Sequence, residues 1–143
     1  DIIDTYFSTY SRIKAYMDEC VEKARETGYV ETYFGRRRYL PDINSRNATV
    51  RGFAERNAIN SPIQGTAADI IKLAMIKIDR AMREQQLRSK MILQVHDELV
   101  FDAHQDEVET LKALVYEHMT TAVDLVVPME VEMGTGQNWL EAH

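Results

Sequence analysis

Apolar residues recur every three or four positions from Ile3 to Ala24 (Ile3, Tyr6, Phe7, Tyr10, Ile13, Met17, Val21, Ala24), which predicts one amphipathic helix ending at Gly28, with its tyrosines on the buried face. The pattern then changes. Tyr29, Val30, Thr32, Tyr33 and Phe34 precede Gly35, and Tyr39-Leu40-Pro41 follows an arginine triplet, so residues 28–41 read as a short hairpin. Residues 42–49 form a polar connection, and a helix is expected from Val50 to Ile59. At Asn60-Ser61-Pro62 the helical pattern is interrupted. Ser61 suits an N-cap, Pro62 the first helical position and Gln64 the return arm of a capping box, so a second, long helix is predicted from here to Gln85.

Beyond a polar turn at 85–89, two apolar runs enclose three ionisable residues: Met91-Ile-Leu-Gln-Val95, then His96-Asp97-Glu98, then Leu99-Val-Phe101. Such runs read as two buried strands of a hairpin whose tip lifts His96, Asp97 and Glu98 out of the core. Residues 104–123 carry a further amphipathic helix, with His118 on its apolar face as a core histidine, and Val126–Val131 reads as a last strand. The sum is an α+β fold, a small antiparallel sheet packed on helices, whose few strands leave it small or in need of a partner segment.

Composition changes this picture little. At 143 residues, 45% hydrophobic and 28% charged, the chain suffices for a real core. A single Cys20 excludes an internal disulfide and a cysteine metal cage. No apolar run reaches bilayer length and no signal peptide opens the chain, so a cytoplasmic protein without a membrane is expected.

Charge changes it more. The net charge of −6 is unevenly spread: residues 36–56 hold six arginines against two acids, whereas residues 97–143 hold eleven acids against Lys112 alone. The basic stretch suits a phosphate partner, for which arginine offers a bidentate fork. The acidic stretch would repel that partner unless cations intervene.

Candidate chemistry sits in two places. Adjacent carboxylates on a rigid turn can hold a hard divalent cation, and magnesium favours one or two carboxylates plus substrate phosphates. The turn at 96–98 also lacks the Gly or Asn usual in two-residue hairpin loops, which points to function rather than to a merely solvated tip. Arg56, Asn60 and Gln64, four residues apart, project from one side of continuous or nearly continuous helix. Asn and Gln both donate and accept, and the minor groove presents purine N3 and pyrimidine O2 acceptors for every correct base pair. Such a row can test base-pair shape without reading sequence. The competing roles are a helix C-cap for Asn60 and the capping box for Gln64.

These residues resemble a known family. Arg56 through Asp69, then Gln94-Val-His-Asp-Glu-Leu-Val-Phe101, together with Gly35-Arg-Arg-Arg-Tyr-Leu-Pro-Asp42 and Asn138-Trp-Leu-Glu-Ala-His143, are similar in residues and order to the C-terminal third of the bacterial family A DNA polymerases. The resemblance implies residues 1–50 as the rear of a fingers subdomain and 51–143 as the C-terminal portion of the palm. It further implies extension of a primer 3′ hydroxyl from a deoxynucleoside triphosphate on template DNA, in replication or repair, with two Mg2+ ions in the complete enzyme. Asp97 would ligate both ions, Glu98 would support the site more weakly, and His96 would lie near the primer terminus. Arg56, Asn60 and Gln64 would touch primer and template in the minor groove, and Arg51 the DNA backbone. The family's second metal-binding aspartate and its triphosphate-gripping fingers helix have no counterpart in these residues. The expectation is therefore a fragment, inactive alone and completed by upstream segments. The alternative is a non-catalytic nucleic-acid-binding module.

Overall fold

A computed structural model describes residues 1–143. It divides into two compact units, residues 1–66 and 67–143. The architecture is α+β, with helices accompanied by two separate two-stranded antiparallel sheets.

The first unit opens with α1 (Ile2–Thr9) and α2 (Ser11–Thr27). One helix was expected here, but Tyr10 adopts φ −112° and ψ 56° and breaks it. Gly28 ends α2 as predicted, in the left-handed conformation at φ 81° that its missing Cβ permits. The expectation that the tyrosine stripe is core is corrected: Tyr6 and Tyr10 are about half exposed and α1 buries no residue. Periodicity makes a face, and only its α2 end is covered, where Ala24 enters the core and Val21 packs against it. Only Cys20 and Ala24 of α2 are buried.

β1 (Tyr29–Glu31) pairs with β2 (Arg37–Tyr39) as the predicted hairpin, Tyr29 opposite Tyr39. Ala24, Val30, Leu40 and Ile43 close on Ala54 and Ala58 to form the unit's core. The two alanines belong to α3 (Ala48–Glu84), a single helix of 37 residues.

α3 overturns the predicted restart at Ser61. Ser61 is buried inside the helix and Pro62 lies in its interior. Proline's fixed φ is helix-compatible; its drawback is a lost amide donor and a clash with the preceding turn, about 3 kcal/mol. Ala54 and Ala58 before it, and Ile70, Ala74 and Ile78 after it, are all buried. Each fully buried isoleucine is worth about 1.5–3 kcal/mol, enough to keep the helix whole through Pro62.

In the second unit, the later part of α3 and α4 (Val108–Thr120) interleave Ile70, Ala74, Ile78 and Met82 with Leu111, Leu114 and Val115. β3 (Lys90–Val95) and β4 (Glu98–Asp102) form the predicted hairpin. Leu99 and Phe101 of β4 pack against this core. The expectation of two buried strands is corrected, because no residue of either strand is fully buried and Ile92 and Leu93 are exposed. A two-stranded ribbon has one covered face only. The strand expected over Val126–Val131 does not form, and Val126 and Val127 are exposed. β-branched residues become a strand only where a neighbouring ladder accepts them. His118 lies in the last turn of α4 and is half-buried, not fully buried as a core histidine would be. A short terminal helix, α5 (Trp139–Ala142), is capped by Asn138. No helix is long and apolar enough to cross a membrane.

The root of the β3–β4 hairpin is tied to the start of α4 by one carboxylate. Glu107 accepts from the Arg88 and Ser89 amides at 2.8–3.0 Å and from the Ser89 hydroxyl at 2.8 Å, and that hydroxyl accepts from the His104 amide. The Arg88 amide foremost, with the Ser89 donors, holds the Glu107 carboxyl below the usual glutamate range, against some desolvation. Its stabilisation is therefore full above the unfolded glutamate pKa of about 4.3 and lost as pH falls through the lower folded value. Glu107→Gln should flatten the acid side of a thermal-midpoint titration between about pH 6 and 3. An unchanged acid limb would remove Glu107 from this role.

Candidate functional site

Two constellations were expected, and they fall on different units. In the second unit, β3 and β4 pair Val95 with Glu98, leaving His96 and Asp97 as a two-residue loop. Such a loop demands positive φ, normally given to Gly or Asn. His96 takes it instead, at φ 54°. A non-glycine residue held there stores strain of order 1–3 kcal/mol, a recurrent feature of functional turns. Register below the turn is fixed by Leu99 and Phe101, half-buried against the core, and shifted by a bulge between Met91 and Leu93.

The hairpin thus brings His96, Asp97 and Glu98 together at its tip. Asp97 is exposed and forms no ion pair. Glu98 is half-buried at the head of β4, and its Oε1 lies 3.3 Å from His143 Nε2. The His143 ring stacks on Trp139 at 6.5 Å and 5°. Asn138 Oδ1 accepts from the Glu141 amide and Glu141 Oε2 from the Gln137 amide, which orders this terminal turn.

The magnesium that the resemblance implies requires oxygen donors. Carboxylate oxygens suit a hard cation. Asp97 and Glu98 can offer a pair, but no group of three or more His, Cys, Asp or Glu residues in this chain is arranged so that it could hold a metal ion by itself. These residues fit a contribution to a cation site, not a whole one.

In the first unit, Arg56, Asn60 and Gln64 are exposed along one side of α3, as their spacing required. The Arg56 guanidinium lies 5.9 Å from the Phe53 ring centroid. Gln64 is not a capping residue, because the helix does not begin at Ser61. Arg51 is engaged: its Nη1 donates to the Ser45 carbonyl at 3.0 Å, and its Nε lies 3.6 Å from Glu55, which also pairs with Arg25 at 2.7 Å.

The arginine triplet divides by role. Arg37 binds Glu31 at 2.9 Å and covers the Tyr29 ring at 4.3 Å. Arg36 donates to the Gly65 carbonyl at 3.2 Å, and Arg38 is exposed. Two residues went unnoticed in the sequence. His143 stands 45 positions from Glu98 with no local sign of the pairing. Gly65 did carry a signal, an isolated glycine inside a helical pattern, which marks a close approach of another element.

The model of DNA polymerase family A matches residues 1–141. The chain is 56% identical over 140 residues to DNA polymerase I of Lactococcus lactis subsp. cremoris strain MG1363, covering 98% of this chain and 16% of that protein. It is 51% identical over 142 residues to DNA polymerase I of Geobacillus stearothermophilus, covering 99% and 16%. Among solved structures it is similar to the POL domain of Pol1 from M. smegmatis, in complex with DNA primer-template and dNTP. There the TM-score is 0.94 and the identity 48%, over 98% of this chain and 25% of that one. The chain spans about a sixth of the length of these curated relatives. On the match over nearly all of its residues, the chain belongs to DNA polymerase family A.

Proposed function

We propose that this chain works as part of a DNA-directed DNA polymerase, with residues 1–50 forming the rear of the fingers and residues 51–143 the C-terminal portion of the palm. The observation that carries this reading is the two-residue hairpin tip, where His96 occupies a left-handed conformation so that Asp97 stands exposed and unpaired beside Glu98. The primer-template DNA and dNTP bound in the similar M. smegmatis structure support the same partners here. The complete enzyme acts in the cytoplasm, in replication or repair.

Each group then has a task. Asp97, with weaker help from Glu98, would hold Mg2+ together with ligands from polypeptide outside these 143 residues. When bound, two such ions supply electrostatic stabilisation of the attacking and leaving oxygens. His96 lies beside the primer terminus. Arg56, Asn60 and Gln64 hydrogen-bond the minor groove, where every correct pair offers the same acceptors and a mispair displaces them. Arg51 meets the DNA backbone with the donors that Ser45 and Glu55 leave over. Phosphoryl transfer needs from the protein mainly positioning and charge, and these residues provide both.

Primer extension tests the reading. The purified 143-residue chain, given primer-template, dNTP and magnesium, should bind DNA with an affinity that falls as salt rises and should add no nucleotide. Templated extension by the pure chain would overturn the incomplete-site reading. Extension restored only when upstream polymerase segments are supplied supports it, whereas DNA binding that stays inert with those segments present favours a non-catalytic binding module.

A further inference from the structure

We infer that the β1–β2 hairpin is a brace that sets the direction of Gln64, with Thr66 and Gly65 as positioning residues; this rests on the reading of Gln64 as a minor-groove contact. Three contacts join the hairpin tip to the helix immediately after Gln64. The Tyr33 amide donates to Thr66 Oγ1 at 2.9 Å, the Arg36 guanidinium donates to the Gly65 carbonyl at 3.2 Å, and the Thr32 methyl lies over Gly65. A Cβ at Gly65 would sit 2.6 Å from Thr32 Cγ2. Thr32 is β-branched and stiff at χ1, so its methyl cannot swing away freely.

The location explains why a brace is useful. Pro62 brings no amide, so the helix is under-bonded one turn before Thr66. Thr66 Oγ1 donates back to the Pro62 carbonyl at 2.5 Å while accepting from Tyr33, linking proline turn and hairpin through one hydroxyl. Glycine inside a helix is less favourable than alanine, because it loses more backbone freedom on ordering. Close approach of the hairpin is the compensating gain. Thr32 is itself set by its hydroxyl, which accepts from the Arg36 amide at 3.2 Å. Gln64 is exposed and flanked by the buried Ser61 on one side and the braced Gly65 on the other, so its side chain leaves a backbone held on both sides.

The test uses a complete polymerase carrying this segment, with kcat and KM measured on matched and mismatched primer termini and thermal midpoints taken in parallel. Thr66→Val keeps shape and removes the hydroxyl; Thr66→Ser keeps the hydroxyl. Loss of one hydrogen-bonded anchor should reduce discrimination against mismatches by about two- to tenfold in Thr66→Val, in the same direction as Gln64→Ala. Thr66→Ser should recover most of it. Gly65→Ala should act like Thr66→Val, and adding Thr32→Ser, which deletes the obstructing methyl, should reverse it. If Gln64→Ala loses discrimination while Thr66→Val and Gly65→Ala keep it, the brace is overturned and the reading of Gln64 stands. If Gln64→Ala itself keeps discrimination, that reading fails and the brace with it.

Discussion

Alanine at position 97, in a complete polymerase containing this segment, should lower kcat for templated extension by about a thousandfold if Asp97 holds Mg2+ as proposed, because each 1.36 kcal/mol of lost transition-state stabilisation is tenfold and a metal-held centre supplies several. The size of this effect is informative because the substitution costs the fold almost nothing. Asp97 is exposed and unpaired at a hairpin tip, and surface substitutions of this kind stay within about 0.5 kcal/mol. Primer-template affinity should change little, since Asp97 is a carboxylate and not a phosphate contact. Single-turnover extension beside DNA binding separates the two. A loss below about tenfold would place Asp97 outside the reacting centre.

Ile78→Ala is the largest expected change in stability. Ile78 is fully buried between α3 and α4, among Ala74, Met82, Leu111 and Leu114. Deleting three of its carbons leaves a cavity in a close-packed interior and should destabilise by about 2–5 kcal/mol. At roughly 2–4 °C per kcal/mol for a chain of this size, the thermal midpoint should fall by about 4–20 °C. Ile76, two residues away on the same helix, is more than half exposed and serves as the control. Ile76→Ala should move the midpoint far less. Equal shifts at 76 and 78 would mean that α3 does not present the 78 side to the core.

Both sites follow from features a linear pattern can carry, and the misses have one physical origin. Two apolar runs around His96-Asp97-Glu98 specify a hairpin by themselves, and four-residue spacing puts Arg56, Asn60 and Gln64 on one helical side whether or not the helix is interrupted. Local rules misjudged what tertiary packing decides. Ser61-Pro62 has every mark of a helix start, yet Ala54, Ala58, Ile70 and Ala74 keep α3 continuous because both flanks are buried. Tyr6, Tyr10, Ile92 and Leu93 follow core periodicities and are exposed, because period describes a face and says nothing of what covers it. Val126 and Val127 failed as a strand for the same reason. The Glu98–His143 pair joins residues with no sequence proximity and was invisible to any window.

The β3–β4 ribbon has a practical corollary for handling the protein. Its outer β3 border has no neighbouring strand, and along it Ile92 and Leu93 are exposed, with Lys90 the one charged residue of that strand. A border of that kind is a template onto which any extended peptide can zip. Stored at high concentration by itself, the protein is expected to become turbid from ribbon-to-ribbon pairing while still folded, and a lysine substituted for Ile92 should keep such stocks clear.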